Sequence, residues 1–117
     1  MLERDFQDAV AQLARLHGFK VSHFRAAHTA AGWRTPVGYD GKGFPDLVMV
    51  NPRRRLILFV ELKSERGGLT LEQQGWRDTL TQAAAHTTDV RYHCWKPSDA
   101  DDIARTLTNG KVTKWRL

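Results

Sequence analysis

A single cysteine, Cys94, occurs in 117 residues, so an intrachain disulfide and a cysteine-cluster zinc site are both excluded. It sits in an alternating apolar run and reads as an inert core residue. No apolar run approaches the roughly 20 residues needed to cross a bilayer. The five histidines, His17, His23, His28, His86 and His93, nowhere adopt the His-x-x-x-His spacing of a helical zinc site. No low-complexity stretch, internal repeat or linker interrupts the chain, and its length suits one domain with one core over residues 1–117. The N-terminus, Met1-Leu2-Glu3-Arg4-Asp5, is acidic and amphipathic, unlike a signal or transit peptide. The expectation is a cytoplasmic protein with no membrane partner.

Acids are the scarcer charge, 13 against 18 Lys and Arg, for a net charge of +5. The imbalance is local. Residues 20–68 hold Lys20, Arg25, Arg34, Lys42, Arg53, Arg54, Arg55, Lys63 and Arg66 against Asp40, Asp46, Glu61 and Glu65, and the rest of the chain is neutral. Such a region suits a polyanion. The triplet Arg53-Arg54-Arg55 is explained equally well as the solubilising tip of a hairpin.

Periodicity places the elements. Leu2, Phe6, Val10, Leu13 and Leu16 recur at helical spacing, predicting a helix over 2–17 with Gly18 as its stop. A first strand is expected over 19–24. Residues 25–45 carry too many glycines and prolines for regular structure. Two apolar runs, 46–51 and 56–64, flank the polar turn Pro52-Arg53-Arg54-Arg55 and predict a β-hairpin. Its second strand is apolar on both faces up to Glu61, as in a central, fully buried strand. After Gly67-Gly68, Thr70 and Gln73 match a capping box opening a helix over 70–86. A strand over 90–95, a short helix over 99–108 and an edge strand over 111–117 follow. The order is α-β-β-β-α-β-α-β: an α/β fold with a central mixed sheet flanked by helices.

The hairpin carries the chemistry. If it is symmetric about Arg53 and Arg54, Asp46 faces Glu61 across the strands, and Lys63 shares their face. Opposed like charges repel, and a bound cation resolves the conflict. Hard cations such as Mg²⁺ take oxygen ligands of this kind and can activate water beside a phosphodiester. Asp46 also suits a strand-start turn after Pro45. Glu61 follows five apolar residues, and a buried carboxylate needs a partner or a metal. Lys63 either supplies that partner as a salt bridge, stabilises charge developing on a phosphate, or simply ends an exposed strand. Glu3 suits the positive end of the helix dipole; if its turn packs over the hairpin, with Gln7 on the same face, it is a further metal-side acid. His23 is a weak candidate for phosphate contact. Trp33 among Arg25, Arg34 and Lys42 suits nucleic acid, or anchors its loop to the core.

Gly43-Phe44-Pro45-Asp46-Leu47-Val48, Val60-Glu61-Leu62-Lys63 and Leu69-Thr70-x-x-Gln73-x-x-Trp76 together resemble the virus-type replication–repair nuclease (VRR-NUC) family of the PD-(D/E)xK superfamily. The resemblance implies a restriction-endonuclease-like core in which Asp46 and Glu61 bind Mg²⁺ or Mn²⁺, with the Leu62 carbonyl and Glu3 as further ligands. Lys63 would be the catalytic lysine, and Gln73 would complete the catalytic set from the following helix. Arg25, Arg34, Lys42, Arg53, Arg54, Arg55 and Arg66 would bind DNA backbone. Small members of the family look like phage or prophage proteins that form homodimers and cut branched DNA such as four-way (Holliday) junctions. The resemblance therefore implies a structure-selective, metal-dependent endodeoxyribonuclease with no nucleotide cofactor. A nicking or duplex endonuclease without junction preference, a non-catalytic DNA-binding module and a soluble interaction domain are the alternatives.

Overall fold

A computed structural model describes residues 2–24, 27–29, 32–34 and 38–110. Helix α1 (Glu3–Leu16) leads into strand β1 (Lys20–His23), followed by two short strands, β2 (Ala27–Thr29) and β3 (Gly32–Arg34). The hairpin is β4 (Leu47–Asn51) and β5 (Leu56–Leu62). Helix α2 (Leu71–Ala83), strand β6 (Val90–Trp95), a 3₁₀ turn (Pro97–Asp99) and helix α3 (Ala100–Leu107) complete the described chain. The expected edge strand over 111–117 lies outside the described residues.

The main sheet has the order β1-β4-β5-β6. β1 and β5 are antiparallel to β4, whereas β6 runs parallel to β5. This mixed sheet flanked by helices is an α/β core compatible with the PD-(D/E)xK expectation. The parallel pair needs a crossover, and α2 supplies it. β2 and β3 pair with each other in a separate antiparallel ribbon. Its presence corrects the expectation of an irregular 25–45 loop: glycines and prolines break long elements, but three-residue strands fit between them.

One face of the sheet is closed. Leu47 and Met49 of β4, with Leu56, Leu58, Val60 and Leu62 of β5, project the same way, the period-2 alternation of a strand. They bury against Phe6, Val10, Leu13 and Ala14 of α1 and Ile103 and Leu107 of α3. The α1 stripe is shorter than its sequence pattern, because Leu2 and Leu16 are 67% and 80% exposed at the helix ends. The other face is only partly covered. Helix α2 has no buried residue, and Val50 and Ile57 are exposed. β5 is therefore central but not buried on both faces, which corrects the sequence expectation. Apolar residues say that a face can be covered, not how much of it is.

The far end of the hairpin is tied to both helices on the closed face. Buried Asn51 donates through Nδ2 to the His17 carbonyl (3.0 Å) at the end of α1 and accepts the Arg54 N–H (3.1 Å). Arg54 Nη1 donates to the Thr106 carbonyl at 2.9 Å in the last turn of α3. Its guanidinium also lies over the Phe19 ring, 5.6 Å from the centroid. A cation at a helix C-terminus is electrostatically favourable.

Candidate active site

The last paired residues of β4 and β5 at the other end of the hairpin are Leu47 and Val60. Continued by one residue, that register sets Asp46 opposite Glu61, as the symmetric hairpin predicts. Here a side chain takes over from the backbone ladder: the Leu62 N–H donates to Asp46 Oδ2 at 3.0 Å. The Asp46 carbonyl accepts the Phe24 N–H (3.4 Å) beyond the end of β1. Asp46 is thus held by the strands on both sides. The N–H and C=O of one strand residue point toward the same neighbour, so the Leu62 carbonyl also faces the Asp46 side of β5.

Each residue before Asp46 has a packing reason. Gly43 has φ +83°, and a Cβ there would lie 2.6 Å from the Glu72 carbonyl carbon and 2.7 Å from the Gln73 nitrogen. Only glycine lets this loop touch the first turn of α2. Phe44 meets Phe24, Phe59 and Trp76 edge-on, with ring centroids 5.6, 5.9 and 4.9 Å away, a favourable aromatic geometry. Pro45 is buried. Trp76 Nε1 donates to the Asp40 carbonyl at 2.9 Å, and Lys42 pairs with Glu72 at 3.2 Å. Loop 40–45 and the start of α2 therefore form one packed unit.

Gln73 belongs to both the helix and the site. Its N–H donates to Thr70 Oγ1 (3.2 Å), and its Oε1 accepts the Thr70 N–H (2.9 Å), closing the capping box. The other end of the same amide, Nε2, donates to Glu61 Oε2 at 3.3 Å. One side chain thus closes the capping box and reaches Glu61.

Glu61 is 2% exposed, and its second oxygen, Oε1, is buried without a hydrogen-bond partner among the described residues. Burial is the largest cause of its pKa rising to about 9. The facing Asp46 carboxylate adds to the rise, Lys63 opposes it, and the charge of Glu3 adds to it. No ion pair among the described residues involves Glu61 or Lys63, so Lys63 is not the salt-bridge partner that would make Glu61 merely structural. The unpartnered Oε1 and the opposed Asp46 suit a hard divalent cation, which takes one or two carboxylates and keeps several waters.

Glu3, exposed at the start of α1, acts on Glu61 through charge but is not gathered into a ligand set. Among the described residues no group of three or more His, Cys, Asp and Glu side chains is placed to hold a metal ion. Gln7 of α1 is directed instead at His23, with Nε2 3.4 Å from Nδ1.

The basic residues divide. Lys42 and Arg66 are exposed in the loops that flank the site end of the sheet. Arg25 lies outside the described residues, and Arg34 closes β3. Arg53, Arg54 and Arg55 sit at the opposite end of the hairpin, about 20 Å from Asp46 at ~3.3 Å per strand residue. The excess positive charge that the sequence places in residues 20–68 is therefore not all gathered around the carboxylates. Residues close to the motif in sequence are carried away along two strands. Arg54 departs furthest from the expected role, because its guanidinium is committed to α3.

Two neighbours of Glu61 escaped sequence reasoning. Cys94 of β6 stands beside it in the parallel register, its thiol pKa raised chiefly by burial. Tyr92, two residues earlier, has a buried hydroxyl with no hydrogen-bond partner among the described residues. Their alternation along β6 was visible, but no sequence signal paired that strand with β5 in this register.

Residues 7–92 match the VRR-NUC domain. No match to a curated protein was found. The domain match covers most of the chain, and the opposed carboxylates, the lysine two residues on and the helix-borne glutamine all fall inside it. Nucleases of this domain generally depend on divalent metal, and DNA is the substrate their chemistry implies. The chain belongs to the VRR-NUC domain family, with a nuclease-type, DNA-processing function.

Proposed function

We propose that this protein is a Mg²⁺- or Mn²⁺-dependent endodeoxyribonuclease that hydrolyses phosphodiester bonds in branched DNA. The observation that carries the catalytic part is Glu61: a buried carboxylate, opposed by Asp46, with one oxygen left without a partner. Asp46, Glu61 and the Leu62 carbonyl would hold the cation, with Glu3 acting on it from further out. The ion, when bound, polarises the phosphate and lowers the pKa of the attacking water. Gln73 fixes the orientation of Glu61 by its hydrogen bond. Lys63 offers an ammonium unpaired with any carboxylate among the described residues to the charge that develops on the phosphate. Lys42 and Arg66 supply backbone contacts near the cut.

The preference for four-way junctions, the homodimer and a phage or prophage setting rest on the family resemblance. A two-fold dimer would present two sites symmetrically, as paired cuts across a junction require. The test is cleavage of a labelled four-way junction beside the matching linear duplex, with Mg²⁺, Mn²⁺ or EDTA, for wild type and Asp46→Ala. Metal-dependent, symmetric junction cuts reduced at least about a thousandfold in the variant are expected. Equal cutting of both substrates would remove the junction preference. Binding without cutting under every condition would leave a DNA-binding module.

A further inference from the structure

The end of the sheet opposite the carboxylates presents the same electrostatic problem with the sign reversed. Arg53 and Arg55 are exposed and Arg54 is half-buried. Arg91 of β6 lies across a cleft of about 270 Å³ from Arg54, with Asp89 the one acid in its lining. After burial, the charge of Arg91 is what lowers the Arg54 pKa. None of these four arginines forms an ion pair among the described residues. Four cations with a single acid, Asp89, in the cleft lining among the described residues leave a net positive cluster that favours an anion between or beside them.

The turn is also built to hold its arginines still. Asn51 and Arg54 fasten it to the ends of α1 and α3, and the Arg55 N–H donates back to the Pro52 carbonyl at 3.2 Å. Arg55 has φ +52°, the left-handed conformation that glycine or asparagine adopts at least cost in a hairpin loop. Stability alone favours glycine there. The cost of arginine is offset if its charge is used.

We propose that turn 52–55 is a second phosphate-backbone contact, rigidly spaced about 20 Å from the carboxylates, that grips the DNA roughly six base pairs from the bond to be cut. Arg53 and Arg55 are the contacting groups, and Arg54 is the strut that aims them. The identity of the polyanion rests on the nuclease assignment.

The test is a fluorescence-anisotropy titration of the full chain with hairpin duplexes whose stems are about 4 base pairs, too short to span about 20 Å, and about 20 base pairs, across a salt series in EDTA. Wild type is compared with Arg53→Ser/Arg55→Gly. The wild type is expected to bind the longer duplex at least about tenfold more tightly and with a steeper salt dependence. The double variant should lose that preference, and its slope should fall by about 1.8, two contacts at ~0.9 each. Arg55→Gly alone should raise the melting temperature. Unchanged length preference and slope in the double variant would overturn the proposal, as would a lower melting temperature for Arg55→Gly. Because EDTA removes cleavage from the readout, a chain that never cuts DNA but shows the arginine-dependent slope keeps this proposal and loses the nuclease one. Normal cutting with an unchanged slope does the reverse.

Discussion

Glu61 concentrates the cost of this site in one side chain. Its ordinary pKa is near 4.3, and burial beside Asp46 moves it to about 9 in the folded, metal-free protein. Between those values the folded state keeps a proton that the unfolded chain has released. Stability should therefore fall as pH rises from about 4.5 to about 9 and level off above that. A cation that needs the carboxylate ionised should flatten the decline. Thermal melts between pH 5 and 9, with EDTA and with Mn²⁺, check both statements. Glu61→Gln keeps the shape and the acceptor facing Gln73 but removes the charge. It is expected to stabilise the metal-free protein at pH 8 by about 1–3 kcal/mol while abolishing cleavage. A destabilised Glu61→Gln protein would show that the carboxylate is part of the packing rather than a strained ligand.

At the scale of elements, the site depends on how loop 40–45 meets α2. Gly43→Ala puts a methyl group against the Glu72–Gln73 backbone and strains a positive φ. Urea unfolding should register a loss of about 2–3 kcal/mol, and cleavage should fall further than stability predicts, because Gln73 moves with the helix. The two carboxylates were legible in the sequence because a four-residue turn between short apolar runs permits one symmetric register, and Asp46 and Glu61 follow from it. The capping box was legible for a similar local reason. The function of Gly43 was not, since its neighbour is about thirty residues away along the chain. Nor was the place of the arginine triplet: a few residues of sequence became the length of the sheet. The half-open face escaped because Val50 and Ile57 have the same composition whether or not a helix reaches them.

Across the whole molecule, the two faces of the sheet carry unequal shares of the stability. α1 and α3 bury the core, whereas α2 holds on through Trp76, the Lys42–Glu72 pair, the Gly43 contact and one amide. Few buried contacts mean low local protection. Amide hydrogen exchange should therefore be faster over 71–83 than over α1 or β5, by at least about tenfold. Uniform protection across the three elements would contradict a weakly held α2. No described helix is long and apolar enough to cross a membrane.

The amide of Gln73 grips Thr70 with one end and Glu61 with the other. Laying down the first turn of α2 and orienting the acid are consequently a single event. A chain still emerging, or one whose weakest helix has slipped, has both carboxylates on its hairpin but neither lock nor key for them. For the nuclease proposed above, that coupling would be a safety catch, released only when α2 is in place.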